Sequence, residues 1–254
     1  MNKTILTAGL AVLLFSCGQP SDPKEIIDTV HEDTAHADTV KPVPQGPDHL
    51  YGIDISVYQG NEIDFLTKHQ DSLSFVICRA TLGLTVTDAD FKSNWALIQQ
   101  KGFVRGAYHF YMCDDDPKAQ AQHFISVIGT LGPKDLPPVL DFEQAGLAGV
   151  TDKAKIQKGL LSFLQTVEAA TGRTPMIYVS PEFASVYLTD TAFAKYPLYV
   201  ADYNGQLQPN IPAMWNSSGW TFWQKTDTVR IDHHTDDFDV FNGDKEEMKA
   251  FIAK

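Results

Sequence analysis

From Leu50 to the C-terminus, short apolar runs of strand length alternate with segments of helical periodicity, and this alternation restricts the fold more than any other feature. Strand candidates lie at 51–56, 75–80, 106–111, 138–143, 175–180, 197–201 and 220–224, with a last short one at 235–241. Helical patterns fall between the earlier ones, at 62–70, 89–101, 117–131 and 152–171. In the last of these, Ile156, Leu160, Leu164 and Val167 recur at helical spacing and Gly172 supplies a stop. The later connections are shorter and poorer in helix. Alternating strand and helix implies a parallel sheet. About eight strands in this length imply an α/β fold of the irregular, TIM-like (β/α) barrel type, with chemistry at the C-terminal ends of the strands.

Two strands end in acids. Pro137-Pro138-Val139-Leu140-Asp141-Phe142-Glu143 is an apolar run closed by two carboxylates. Val139, Asp141 and Glu143 share one face, because strand side chains alternate with period 2. Charges are seldom buried without partners, so that face is expected to open into a polar cleft. Tyr51-Gly52-Ile53-Asp54-Ile55-Ser56 repeats the arrangement with Asp54. Carboxylates gathered at the mouth of a parallel barrel suit the cleavage of a glycosidic bond. That reaction needs a protonated acid at the leaving oxygen and negative charge near an oxocarbenium-like centre. Ionised neighbours disfavour the ionisation of a carboxyl group among them, which keeps it protonated near neutrality.

Composition sets the surroundings. The net charge of −12 argues against a nucleic-acid partner, which demands a basic footprint. Part of that charge is local: residues 18–49 hold seven acids against two lysines. Residues 1–17 read as a targeting segment. One lysine precedes an apolar core (Ile5 to Phe15) too short to span a bilayer, and Leu14-Phe15-Ser16-Cys17 resembles a bacterial lipobox. Cleavage there leaves Cys17 as a lipidated first residue that anchors the chain to a membrane without crossing it; a plain cleaved signal peptide is the alternative. Residues 18–49 have too few large apolar groups to fold and read as a disordered tether, leaving 50–254 as the catalytic domain. Of the other cysteines, Cys78 lies inside an apolar strand and Cys113 just beyond one. They read as unpaired thiols, with a disulfide as the alternative.

At this point the motifs carry a resemblance. Gly52-Ile53-Asp54-Ile55-Ser56-Val57-Tyr58-Gln59-Gly60 resembles the opening signature of glycoside hydrolase family 25, the muramidases of lysozyme type. Further motifs follow in the family's order: Phe75-Val76-Ile77-Cys78-Arg79-Ala80-Thr81, Gly106-Ala107-Tyr108-His109-Phe110 and Leu140-Asp141-Phe142-Glu143. Pro175-Met176-Ile177-Tyr178, Trp223-Gln224 and Asp237-Phe238-Asp239-Val240-Phe241-Asn242-Gly243 complete the series. The resemblance implies an irregular β/α barrel with Glu143 as the catalytic acid and Asp141 as its partner. It also implies Asp54 and Asp237 as further catalytic acids, and Tyr108, Tyr178 and Trp223 as aromatic residues of the sugar-binding groove. The chain departs from the family pattern at Leu82, where many members carry an acid, and at Asp239, where many carry Asn. The second departure leaves Asp237 and Asp239 both as candidates to face the site, and Asp239 joins the substrate-binding set.

The implied reaction is hydrolysis of the β-1,4 bond between N-acetylmuramic acid and N-acetylglucosamine in peptidoglycan. Asp141 would assist the substrate's own acetamido group as the nucleophile. The alternatives are a chitinase-like hydrolase and a catalytically inactive glycan-binding barrel. No cofactor and no metal are expected; the acid- and His-rich run 232–237 has no familiar ligand spacing and reads as a solvated loop. His109 is expected to point away from Tyr108, into packing. The expected state is a monomeric lipoprotein of the bacterial cell envelope, facing periplasm or cell surface, with glycan strands as its partner.

Overall fold

The computed structural model describes residues 49–59, 72–231 and 234–254, excepting the side chains of 230–236. The targeting segment, the tether, the helical pattern at 62–70 and Asp232-His233 lie outside the described residues.

Eight strands close into a barrel. In chain order the strands are β1 (Leu50–Ile55), β2 (Phe75–Leu82), β3 (Val86–Thr87), β4 (Val104–Phe110), β5 (Val139–Asp141), β6 (Met176–Val179), β7 (Leu198–Ala201), β8 (Phe222–Ile231) and β9 (His234–Phe241). β3 is a two-residue addition, antiparallel to the end of β2, and the others form the wall. Pairing between β1 and β2 shuts the ring. Every pairing among the wall strands from β1 through β8 is parallel, while β9 runs antiparallel to both β8 and β1. Strand–helix alternation implied parallel strands throughout. The exception has a simple cause: two residues separate β8 from β9, and so short a connection joins only antiparallel neighbours.

The helices are α1 (Phe91–Gln100), α2 (Pro117–Ile128), α3 (Lys153–Thr171), α4 (Pro181–Tyr187) and α5 (Lys245–Ile252). Their ends follow from local sequence. Asp116 accepts from the Ala119 N–H at the start of α2, with Pro117 in the first turn. Asp152 caps α3, which stops at Gly172 with φ 69°. Asp244 and Glu247 form a reciprocal capping box at α5.

Side-chain alternation divides the wall into two cores. Ile53, Cys78, Leu140, Phe142, Val179 and Val200 point outward and pack with Phe124, Leu160 and Phe163 of the helices. Phe75, Ile77, Val139, Met176, Tyr199, Phe222 and Phe241 point inward. Each fully buried side chain of this size contributes roughly 1.5–3 kcal/mol. Met248 and Ile252 of α5 belong to the inner cluster, and Phe251 packs on Phe222 and Phe241, so the C-terminal helix closes the end where the parallel strands begin. Gly52 leaves room for this filling, since a Cβ there would lie 2.4 Å from the Phe75 ring. Apolar residues and α5 occupy that end. Polar side chains are left to the other.

His109 points outward as expected: fully buried, it bonds Thr81 and Gln120 and stacks on Phe163 at 4.8 Å. Burial pushes its pKa down to about 3, so it stays neutral. Cys78 and Cys113 are separate buried thiols.

Candidate active site

The inward positions at the C-terminal end of the wall carry acids, phenols and one amide. β1 supplies Asp54, β4 Tyr108, β5 Asp141, β6 Tyr178, β7 Tyr199 and β8 Gln224. Glu143 follows two residues beyond Asp141 on the same face. β9 runs the opposite way, so its early residues meet the late residues of β1: Asp237 stands beside Asp54 and Asp239 beside Gly52. Both acids of β9 therefore face inward. Asp237, partly exposed, is at the mouth, and Asp239, with no exposed surface, lies one step deeper.

Asp141 and Glu143 hydrogen-bond to each other. Asp141 is buried, whereas Glu143 keeps some exposure, so Glu143 is the member of the pair that reaches an incoming substrate. Burial chiefly, and then the charge of Asp54, pushes Glu143 up to about 7, with the Asp141 hydrogen bond opposing. Asp141 is held well above the usual carboxylate range by burial and by the charges of Glu143 and Asp54, while Arg79 pulls it down. Two acids this close share one proton near neutrality, and their titration belongs to the pair.

Asp54 is the best supplied acceptor of the cluster. Gln224 Nε2 donates to its Oδ2 at 2.6 Å, Tyr199 Oη lies 3.2 Å from the same oxygen, and Asp237 bonds it from the neighbouring strand. The Gln224 amide has no freedom to flip, since its Oε1 accepts from the Tyr178 hydroxyl at 2.6 Å and also from Tyr203. Burial raises the pKa of Asp54, and its hydrogen bonds, that with Gln224 foremost, pull it back. Burial also holds the phenols of Tyr108, Tyr178, Tyr199 and Tyr203 above their usual range, so they act as donors.

The sequence-based candidates therefore separate. Asp54, Asp141, Glu143, Asp237, Tyr108 and Tyr178 share one cluster. Trp223 does not line the groove. It is 2% exposed, points outward beside Trp220, and donates its indole N–H to the Asp202 carbonyl. Its neighbour Gln224 takes the inward position, because period 2 sends adjacent residues to opposite faces. Asp239 is likewise withdrawn from the mouth and bonds Tyr199 at 2.6 Å.

Several residues at the mouth escaped sequence reasoning. Tyr203, 51% exposed, sits on the loop after β7. Arg79 faces inward from the second half of β2; its Nε donates to Asp88 at 3.0 Å and its guanidinium lies over Tyr58. Inward alternation from Phe75 through Ile77 was the signal for Arg79; Tyr203, in a loop, had none.

A model of the glycosyl hydrolases family 25 matches residues 53–234. The chain belongs to glycosyl hydrolase family 25. The protein YegX of Escherichia coli O157:H7 is 34% identical over 80% of this chain and 73% of its own. An N,O-diacetylmuramidase of Arthroderma benhamiae is 32% identical over 80% of this chain and 86% of its own. Among solved structures, the lysozyme of Streptomyces coelicolor superposes with TM-score 0.74 at 27% identity, covering 83% of this chain and 99% of that one. In this member of family 25, the matched residues contain Asp54 and the Asp141–Glu143 pair.

Proposed function

We propose that this protein is a muramidase that cleaves the β-1,4 bond between N-acetylmuramic acid and N-acetylglucosamine in peptidoglycan. The observation that carries the reading is the hydrogen-bonded Asp141–Glu143 pair opposite Asp54, with Glu143 near 7 and partly exposed. Membership of family 25 and likeness to an N,O-diacetylmuramidase and a lysozyme supply the substrate class. Glu143 gives its proton to the glycosidic oxygen as that bond breaks. The substrate's own acetamido oxygen closes on the anomeric carbon, and Asp141 accepts a hydrogen bond from the acetamido N–H as positive charge develops on it. Asp54 adds fixed negative charge beside that centre. Water then opens the ring intermediate, giving its proton to the Glu143 carboxylate, so the anomeric configuration is retained. Tyr108, Tyr178 and Tyr203 offer hydroxyls and ring faces to the sugars.

The test is digestion of purified peptidoglycan and of chitin, with released reducing ends counted and products weighed by mass spectrometry. Products ending in reducing muramic acid, from peptidoglycan alone, are expected. Release from chitin alone would make the enzyme chitinase-like, and binding without release from either would make it a glycan-binding barrel.

We further propose that Cys17 carries a lipid and tethers the barrel to the bacterial cell envelope through 18–49, as the lipobox-like Leu14-Phe15-Ser16-Cys17 supports.

A further inference from the structure

Tyr199 stands between two acids. Its Oη lies 2.6 Å from Asp239 Oδ1 and 3.2 Å from Asp54 Oδ2. A phenol has one proton, so it donates to one carboxyl group only, and the other contact is a second hydrogen bond only where that acid donates to the tyrosine. Both contacts are satisfied together when one of the two acids is protonated toward Tyr199. The surroundings say which. Asp54 receives Gln224 Nε2 at 2.6 Å besides Tyr199, the supply an ionised carboxylate needs. Asp239 has no exposed surface, and its Oδ2 is buried without a hydrogen-bond partner among the described residues. An ionised carboxylate with a bare oxygen in that position costs far more than a neutral acid whose carbonyl is bare. The groups facing it offer no relief: Asp54 comes from β1, Asp237 from β9 itself, the Tyr199 phenol from β7 and the uncharged Gln224 from β8. Arg79, on β2, is committed to Asp88.

We propose that Asp239 is a positioning residue held as a neutral carboxylic acid, and that it donates to Tyr199 so that Tyr199 donates to the Asp54 carboxylate. The chain of bonds runs in one direction, from the Asp239 hydroxyl to Tyr199 Oη and from the Tyr199 hydroxyl to Asp54 Oδ2. It keeps Asp54 ionised and oriented opposite Glu143 without adding a further charge to the barrel. Burial and the charge of Asp54 hold Asp239 well above the usual carboxylate range, with the Tyr199 hydrogen bond opposing. The proposal rests on the muramidase reading for its kinetic consequence, but not for the protonation state.

The experiment compares wild type, Asp239→Asn, Asp239→Leu and Tyr199→Phe. Asparagine presents an N–H donor where the acid hydroxyl stood, so Asp239→Asn should keep kcat within about threefold. Tyr199→Phe, which leaves Asp54 without that donor, should lose roughly 10-fold or more in kcat, an effect in the range of a lost hydrogen bond to a charged group. Asp239→Leu leaves Tyr199 its proton but takes away the partner that orients it, and should fall between wild type and Tyr199→Phe. In the Tyr199→Phe background, Asp239→Leu should add little. Melting temperature against pH reads the proton directly. Because the folded state holds Asp239 above its unfolded value, wild type loses stability as pH rises from about 4, the ordinary carboxylate value. Asp239→Asn should therefore gain on wild type steadily above that pH, and its infrared difference spectrum should lack one protonated-carboxyl stretch. A melting difference that is flat with pH, or an Asp239→Asn enzyme as impaired as Tyr199→Phe, overturns the proposal. If no variant and no wild type cleaves glycan, the muramidase reading fails, while the melting and infrared arms still decide the protonation of Asp239.

Discussion

Glu143 owes its chemistry to its neighbours. Alone at a strand end it would be an ordinary carboxylate, ionised well below neutrality. Burial and the charge of Asp54 push it up to about 7 against the pull of the Asp141 hydrogen bond, so a substantial fraction carries the proton that glycoside cleavage requires. Glu143→Gln keeps the shape and loses the proton. Turnover of peptidoglycan should fall by roughly 10³-fold, within the usual span for a general acid, with an unchanged melting temperature. Near wild-type clearance by a folded variant would remove Glu143 from the role. The pH profile gives a second measurement. The acid form is active, so the alkaline limb for soluble glycan fragments should lie near 7 in wild type. Asp54→Asn removes a charge that raises Glu143, and its limb should move to lower pH as the maximal rate falls. A limb that stays in place would break the link between Asp54 and Glu143.

At the scale of elements, the short β5 strand and the turn after it deliver the pair. β5 ends at Asp141, and the backbone is then clamped on both sides: Tyr111 N–H donates to the Asp141 carbonyl and Phe142 N–H to that of Tyr178. A 3-10 turn follows (Ala145–Leu147), in which Gly146 lies under Tyr111 and its carbonyl accepts from the Cys113 N–H at 2.7 Å. A Cβ on Gly146 would come 2.1 Å from the Tyr111 carbonyl oxygen, a backbone atom that cannot swing aside. Gly146→Ala should cost about 1–3 kcal/mol of stability, as overpacking does. It should also lower kcat more than it raises KM, because it displaces Glu143 rather than the sugar-binding phenols. Thermal melts and steady-state kinetics measure both, and an alanine variant with wild-type stability and kcat would show the turn to be compliant. The eight wall strands and helices α1 to α3 were legible in sequence because apolar periodicity and caps announce them. β3 and α4 were not: two residues, and a single seven-residue helix, are too short to show a period. The capping box opening α5 was a readable signal that the periodicity search passed over.

For the molecule as a whole, the barrel is plugged at one end by α5 and polar at the other, and no helix among the described residues is long and apolar enough to cross a membrane. The attachment we propose is the lipid on Cys17. Cys17→Ser should move the full chain from the membrane fraction to the soluble fraction. A variant that stays with the membrane after a high-salt wash would refute the lipid anchor.

The amino-acid sequence by itself determined the barrel, the Asp141–Glu143 strand end and the family, because strand period, helix caps and motif order are local and survive without coordinates. It placed Trp223 in the groove through motif order alone. Only the tertiary structure decided that Gln224 faces in and Trp223 out, since the register of β8 against β7 and β9 chooses the face. The roles of Asp237 and Asp239 were decided the same way. They are two residues apart and share a face, but antiparallel pairing sets one beside Asp54 at the mouth and the other beside Gly52, under Tyr199. Spacing along a strand gives the face; depth in a barrel comes from which neighbour the strand lies against.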